Sequence, residues 1–319
     1  MRDLGIVVIG RNEGERLRRC LTSLHAPGCR IVYVDSGSTD GSVQLAADLG
    51  AICIELARDV PFTAARARNA GLKQLFEVSP GVAYVQFVDG DCEVAPGWLG
   101  AGRSFLSTHP QHAAVFGTQR ERHPEASIYN RLCDLELSGE PGDTKSCGGN
   151  AMFRAEAIRA AGGYRAELIA GEEPELCVRL RASGWKVRRL ANAMITHDAN
   201  MSRFSQWWRR TRRGGYAFAQ GAWLHGAPPE RHWVRETSRA LAYGAALPVG
   251  IAVASLFHPW ALLLAFVYPA QVLRLALRDR KDVQHATFLV LGRLPEAIGA
   301  LQFYADRFRR RNRQLIEYK

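Results

Sequence analysis

The chain has 319 residues, 47% hydrophobic and 23% charged, with a mean hydropathy of −0.15 and a formal net charge of +11. That balance excludes a disordered or collagen-like chain and a polytopic membrane protein. Seven scattered cysteines with no C-x-x-C pair argue against a disulfide scaffold or zinc ribbon and for a reducing, cytosolic setting.

Residues 5–10 form an apolar, strand-like run, too short for a signal-peptide core and without a small-residue cleavage site, that stops at Arg11-Asn12-Glu13. Residues 15–24 read as a helix with Leu17, Leu21 and Leu24 on one face. A second strand over 31–35 ends in the turn-rich Ser36-Gly37-Ser38-Thr39-Asp40-Gly41. Helix 42–49, strand 51–56, helix 62–76 and strand 83–88 follow, the last ending on Asp89-Gly90-Asp91. Strand–helix alternation with short connections predicts a doubly wound α/β sheet, in which ligands sit beyond the carboxyl ends of the strands. Asp35 and the Asp89-Gly90-Asp91 triplet both lie at such ends and are expected to share one crevice. A further strand-like run over 193–196 leads into His197.

The basicity is confined to one end. Residues 1–199 carry 23 Lys and Arg against 24 Asp and Glu, whereas residues 200–319 carry 19 against 7. Residues 240–273 contain no Lys, Arg, Asp or Glu across 34 positions. As one helix they would span roughly 50 Å, well beyond a hydrocarbon core of about 30 Å. Pro248, Pro259 and Pro269 also interrupt them. Two segments, 240–257 and 260–273, with a turn at His258-Pro259, are therefore expected. Arg231, Arg235 and Arg239 precede them, and Arg274, Arg278, Arg280 and Lys281 follow, which fits a hairpin with both ends on the cytoplasmic side. A buried helical pair in a soluble domain, and a re-entrant or interfacial pair, are the alternatives. Residues 288–308 and the cluster Arg309-Arg310-Arg311-Asn312-Arg313 read as an amphipathic, cationic tail suited to an anionic leaflet. Because the arginines flank apolar segments rather than a base-reading module, a membrane surface is favoured over nucleic acid.

Two carboxylates flanking a glycine at a strand end, as in Asp89-Gly90-Asp91, can hold a divalent cation on a diphosphate. Six blocks occur in order along the chain: Gly10-Arg11-Asn12-Glu13; Val34-Asp35-Ser36-Gly37-Ser38; Ala67-Arg68-Asn69-Ala70-Gly71; Val88-Asp89-Gly90-Asp91; Gly148-Gly149-Asn150; and Gly171-Glu172-Glu173-Pro174-Glu175 running on to Arg179-Leu180. Together they resemble the family-2 glycosyltransferases of GT-A fold over roughly residues 4–215.

The resemblance implies roles residue by residue. Asp35 matches the acid that contacts the nucleoside, with Ser36 where many relatives have a second Asp. Arg68 matches the residue near the nucleotide phosphates. Asp91 looks like the direct ligand of Mg²⁺ or Mn²⁺, and Asp89 like the member that orients ribose or a metal-bound water. Gly149 and Asn150 lie in the loop that resembles the sugar-binding floor. Glu172 matches an acceptor-binding residue and Glu173 the general base, one methylene longer than the Asp common there. His197 stands where a histidine can complete the metal site. Gln206-Trp207-Trp208-Arg209-Arg210 is similar in part to the Q-x-x-R-W element of processive members.

The expectation is an α/β GT-A catalytic domain over 1–225 and a helical, membrane-associated region over 226–319, on the cytoplasmic face of the plasma membrane. It would move a sugar, with inversion, from a UDP-, GDP- or dTDP-sugar to a lipid-linked or cell-envelope glycan. The alternative is a catalytically silent, membrane-bound nucleotide-sugar or glycan-binding protein on the same fold.

Overall fold

Strand β1 (Leu4–Gly10) is buried along almost its whole length, as a central parallel strand with helices on both faces must be. The computed structural model describes residues 1–24, 28–278 and 282–309, and the chain forms two units, Met1–Asn200 and Met201–Lys319. In the first unit, β1 is followed by α1 (Glu15–Ser23), β2 (Arg30–Asp35), α2 (Ser42–Asp48), β3 (Ile52–Glu55), α3 (Ala64–Val78) and β4 (Tyr84–Asp89). Then come β5 (Cys92–Val94), α4 (Trp98–Thr108), β6 (His112–Glu121), α5 (Ile128–Leu137), β7 (Gly142–Thr144) and β8 (Ala151–Arg154). The unit closes with α6 (Ala155–Ala160), α7 (Glu172–Ala182) and β9 (Lys186–His197).

The strands form one mixed sheet in the order β3-β2-β1-β4-β8-β6-β9-β5, with β7 paired to β9. The first four are parallel, as the alternating sequence pattern requires. The elements expected over residues 5–88 fall within two residues of those observed, whereas the run expected over 193–196 is the end of a longer strand, Lys186–His197. Leu17, Leu21 and Leu24 are all buried. Gly71 lets α3 lie against the sheet, because a Cβ there would run into Val7 and Val34.

Register places the chemistry. Gly10 pairs with Asp35 on one side of β1, and Ile9 pairs with Asp89 on the other. Both acids therefore end their strands beside β1, where the strand order changes direction and a doubly wound sheet opens a crevice. On the far side of the sheet, His197 pairs with Glu121 of β6 and with Cys92 of β5.

The second unit contains α8 (Phe204–His225), α9 (Val234–Leu241), a π-helical turn (Ala242–Ala246), α10 (Leu247–Phe257), a 3₁₀ segment (Pro259–Phe266), α11 (Val267–Arg278), α12 (Val283–Leu291) and α13 (Arg293–Phe308). Helix α8 belongs to this unit, so the division falls at residue 200 rather than at the expected 225. The reason is its packing on α13: Arg212 donates to Gln302, and Tyr216 meets Phe303 edge-on. The stretch 288–308 is likewise not a surface tail. Most of it forms α13, which buries Ala297, Gly299, Ala300 and Phe303, and a Cβ at Gly299 or Gly215 would collide with the facing backbone. Of the basic cluster, Arg309 is exposed and 310–313 lie outside the described residues, as do Arg280 and Lys281.

The apolar hairpin turns at His258, which is extended, between Val234–Phe257 and Pro259–Arg278. These helices have 24 and 20 residues, long and apolar enough to cross a membrane, and are almost wholly unburied. Pro248 does not break the first of them. The π-helical turn just before it widens the helix where the proline ring would strike the preceding turn.

Candidate active site

Asp35 is buried and organises the turn that follows it. Its Oδ2 accepts from the amides of Gly37 at 2.8 Å and Ser38 at 2.7 Å, and its Oδ1 accepts from the Tyr33 hydroxyl at 2.9 Å. Burial and the adjacent carboxylate push the Tyr33 phenol up, so it remains a donor. Asn12 ties the neighbouring block in: its amide donates to Ser38 Oγ at 2.8 Å, and its Oδ1 accepts from the Thr39 amide at 2.8 Å.

Arg68 is the hub of the crevice. Only 3% exposed, it projects from α3 among three carboxylates. One terminal nitrogen donates to Asp89 Oδ1 at 2.8 Å, and the other to Glu172 Oε1 at 2.7 Å while also pairing with Glu173. The Tyr164 ring lies 5.7 Å from the guanidinium. Burial opposes the charge of Arg68, but Glu173, Asp89 and Glu172 outweigh it and raise its pKa. The expected phosphate-side arginine is thus held inside the protein by the acids.

Glu172 and Glu173 are both buried in the first turn of α7, after Gly171 in the left-handed conformation at φ 80°. Burial pushes the Glu173 carboxyl up to about 8, with Arg68 opposing and Glu172 and Asp89 adding to the rise. Glu175 and Arg179, further along the same block, are structural. Glu175 accepts from Arg179 and pairs with Arg165 at 2.8 Å, and Arg179 holds the Gly163 carbonyl at 2.8 Å.

The 148–150 loop closes over this cluster. Asn150 Oδ1 accepts from the Asp89 amide at 2.9 Å, and its Nδ2 donates to Asp89 Oδ2 at 3.3 Å. A Cβ on Gly149 would lie 2.8 Å from Asp89 Oδ2 and collide with Arg68, so the backbone must be bare there.

A candidate cation site lies next to it. Asp91, Cys92 and His197 offer ligand atoms that all lie within 4.8 Å of one another. His197 Nε2 is 3.5 Å from Asp91 Oδ2. A carboxylate and an imidazole suit Mg²⁺ or Mn²⁺, so the donor set fits the expected cation. Burial and the charges of Asp91 and Asp89 push the Cys92 thiol up, which leaves it a poor ligand. Asp89 lies outside this group, engaged by Arg68 and Asn150. Burial works against a protonated His197, yet hydrogen bonds to Asp91 and Glu121 push its pKa up to about 10. The site thus joins Arg68, Asp89, Glu172, Glu173, Gly149 and Asn150 in one cluster, with Asp91 and His197 beside it and Asp35 one strand away.

Residues 5–161 match the family described as Glycosyl transferase family 2, and residues 127–278 match Glycosyl transferase family group 2. Glycosyltransferase AglE of Haloferax volcanii is 31% identical over 217 residues, which cover 61% of this chain and 67% of AglE. The chain belongs to glycosyltransferase family 2. The pre-mycofactocin glycosyltransferase of Mycobacterium tuberculosis is 30% identical over 212 residues, 62% of this family-2 chain and 43% of that protein. The chain therefore spans less than half the length of that relative. Mannosyltransferase PcManGT from Pyrobaculum calidifontis, solved in complex with GDP-Man and Mn²⁺, has a TM-score of 0.64 at 20% identity and covers 94% of this chain and 87% of its own. S. aureus TarS 1-349, solved with UDP-GlcNAc, has a TM-score of 0.53 at 14% identity, covering 97% and 92%. The fold of this glycosyltransferase is GT-A.

Sequence reasoning did not single out Glu121, Tyr164 or Asn69. Asn69 pins the loop beside the acids, exchanging hydrogen bonds with Tyr164 N and O at 2.9 and 2.7 Å. Alternation along β6 signals Glu121, because Gln119 and Glu121 are buried while Arg120 between them is exposed. In the second unit, Gln206 caps its own helix, Oε1 accepting from the amides of Ser202 and Arg203 at 3.0 Å each. Trp207 packs edge-on against Phe288.

Proposed function

We propose that this family-2 glycosyltransferase transfers a sugar, with inversion, from a nucleotide-sugar donor to a lipid-linked or cell-envelope glycan acceptor, with a divalent cation in its site. The observation that carries this reading is the convergence on Arg68 of Asp89, from the end of β4, with Glu172 and Glu173, from the start of α7. It brings donor-side and acceptor-side acids to one point beside Asp91 and His197. The GDP-Man and Mn²⁺ bound by PcManGT and the UDP-GlcNAc bound by TarS support a nucleotide-sugar donor.

In this reading Glu173 accepts the proton of the acceptor hydroxyl as its oxygen attacks the anomeric carbon. The bond from that carbon to the donor phosphate oxygen breaks, and the electron pair leaves with the nucleoside diphosphate. A carboxyl raised to about 8 by burial is a stronger base once ionised, and Arg68 counters the rise by favouring its charged form. Asp35 seats the nucleoside through the turn it braces. Gly149 and Asn150 shape the floor under the sugar and fix Asp89. A divalent cation held by Asp91 and His197 would supply Lewis-acid stabilisation of the leaving diphosphate. The apolar hairpin would anchor the enzyme at the cytoplasmic face of the membrane, where lipid-linked acceptors are available.

The test combines a donor screen with two substitutions. UDP, GDP and dTDP are compared with Mn²⁺ for thermal stabilisation of the full chain, and transfer is then assayed with the matching sugar donors. Asp91→Ala should abolish the Mn²⁺-dependent part of that stabilisation. Glu173→Gln should lower single-turnover transfer by about 10²–10⁴-fold with donor binding retained. Wild-type transfer should rise with pH to a plateau above about 8, as Glu173 loses its proton, and that rise should vanish in Glu173→Gln. Transfer by both variants at near wild-type rate would overturn the assignment.

A further inference from the structure

The geometry assigns Glu121 as a positioning residue that holds His197 with Nδ1 turned away and Nε2 aimed beside Asp91, ready for a divalent cation. This rests on the reading of Asp91 and His197 as cation ligands. Glu121 is the last residue of β6 and pairs in register with His197, the last residue of β9. Its Oε2 lies 2.9 Å from His197 Nδ1. Both of its oxygens also lie 3.2 Å from the Ala199 amide, just beyond the strand end. On its other edge the imidazole meets Asp91, with Nε2 3.5 Å from Oδ2. The ring is thus held between a carboxylate behind it and a carboxylate in front.

The environment of Glu121 shows why a carboxylate is needed. Its side chain is 0% exposed, a position where an acid is costly unless its charge is compensated. The arginines on either side are directed elsewhere: Arg120 forms a two-point pair with Asp134, and Arg122 pairs with Glu93 at 2.5 Å. The imidazole is the cationic or polarised group that faces this acid. The Ala199 amide alone could be satisfied by a neutral acceptor such as a glutamine or serine oxygen. A carboxylate on Nδ1 does more, because it fixes the tautomer with the proton on Nδ1 and makes Nε2 a better donor to a metal. The contact of the ring with Asp91 is long at 3.5 Å, so the shorter bond to Glu121 is the one that fixes its orientation.

The test measures binding of Mn²⁺ alone to the full chain in detergent micelles, counting free Mn²⁺ by electron paramagnetic resonance. Wild type is compared with Glu121→Ala, Glu121→Gln, His197→Ala and the double variant Glu121→Ala/His197→Ala. Glu121→Ala should weaken Mn²⁺ binding by about 10–100-fold. Glu121→Gln, which keeps the shape and an acceptor oxygen, should lose less than about tenfold. In the His197→Ala background the Glu121 substitution should cost nothing further, because its effect runs through the ring. Should Glu121→Ala fail to fold, the same cycle is run with Glu121→Gln, and its loss should again disappear when His197 is absent. Wild-type Mn²⁺ affinity in Glu121→Ala, or losses that add in the double variant, would overturn the role of Glu121. Wild-type affinity in His197→Ala would instead overturn the cation site itself, so the two failures are distinguishable.

Discussion

Replacing Arg68 with Met removes the guanidinium shared by Asp89, Glu172 and Glu173 and keeps most of the side-chain volume. Arg68 is 3% exposed, and the acids it leaves include two that are 6% and 9% exposed at the side chain. Removing one partner of a buried ion pair costs about 3–5 kcal/mol, because the remaining charge is left without compensation. For a unit of this size that corresponds to a fall in melting temperature of roughly 6–20 °C. The loss should depend on pH. The Glu173 carboxyl already titrates near 8 with Arg68 present, and without it that value rises further. A group whose folded pKa is raised favours the folded state while protonated, and that advantage fades from its unfolded pKa up through the folded one. At pH 6 Glu173 is protonated in both proteins and the damage is smaller, whereas at pH 8.5 wild type ionises Glu173 against Arg68 and the variant must hold the proton or bury an unpaired charge. Thermal unfolding of wild type and Arg68→Met, followed by near-ultraviolet circular dichroism at both pH values, measures this. A difference under about 2 °C at pH 8.5, below 1 kcal/mol on the same scale, would refute the compensation argument. An equal loss at both pH values would refute its protonation half.

Two further outcomes follow from the packing. Gly149→Ala places a methyl 2.8 Å from Asp89 Oδ2 and against Arg68, so it should raise the KM for donor and lower kcat at least about tenfold, and lower the melting temperature as the Arg68 cluster shifts. Steady-state kinetics with a fixed acceptor concentration separates the two parameters. In the hairpin, Leu256 and Leu263 are 82% and 53% exposed, and converting both to Glu should shift the full chain from the membrane pellet toward the supernatant. Sedimentation after carbonate washing checks this, and unchanged pelleting would show that the hairpin is not what holds the protein at membranes.

Much of the first unit was legible in the residues because its determinants are local. Strands β1 to β4 are short apolar runs ending at Gly, Asp or Glu, and each helix between them carries its own periodicity. The antiparallel half was not legible. Strand β6 pairs in parallel with β9, some 75 residues later, across several register shifts, and β5 and β7 have three residues each. Such short strands acquire their form from their neighbours rather than from propensity. The 288–308 stretch was misread for a related reason: a helix with small residues and scattered charges has the same sequence pattern whether it faces water or the backbone of α8.

The residues by themselves determined the family, through the order of the motif blocks, the carboxyl ends at which Asp35 and Asp89 stand, and the turn at His258. These depend on strand ends, glycines and prolines, whose effects reach only a few residues along the chain. Only the tertiary structure decided which charges meet. Arg68 lies 21 residues from Asp89 and 104 from Glu172, and Glu121 lies 76 from His197. The residue types at these positions fit a solvated surface as well as a buried cluster. Sheet register and helix packing bring them within hydrogen-bond distance, and burial there turns ordinary carboxylates into a group raised to about 8 and an anchor for a histidine.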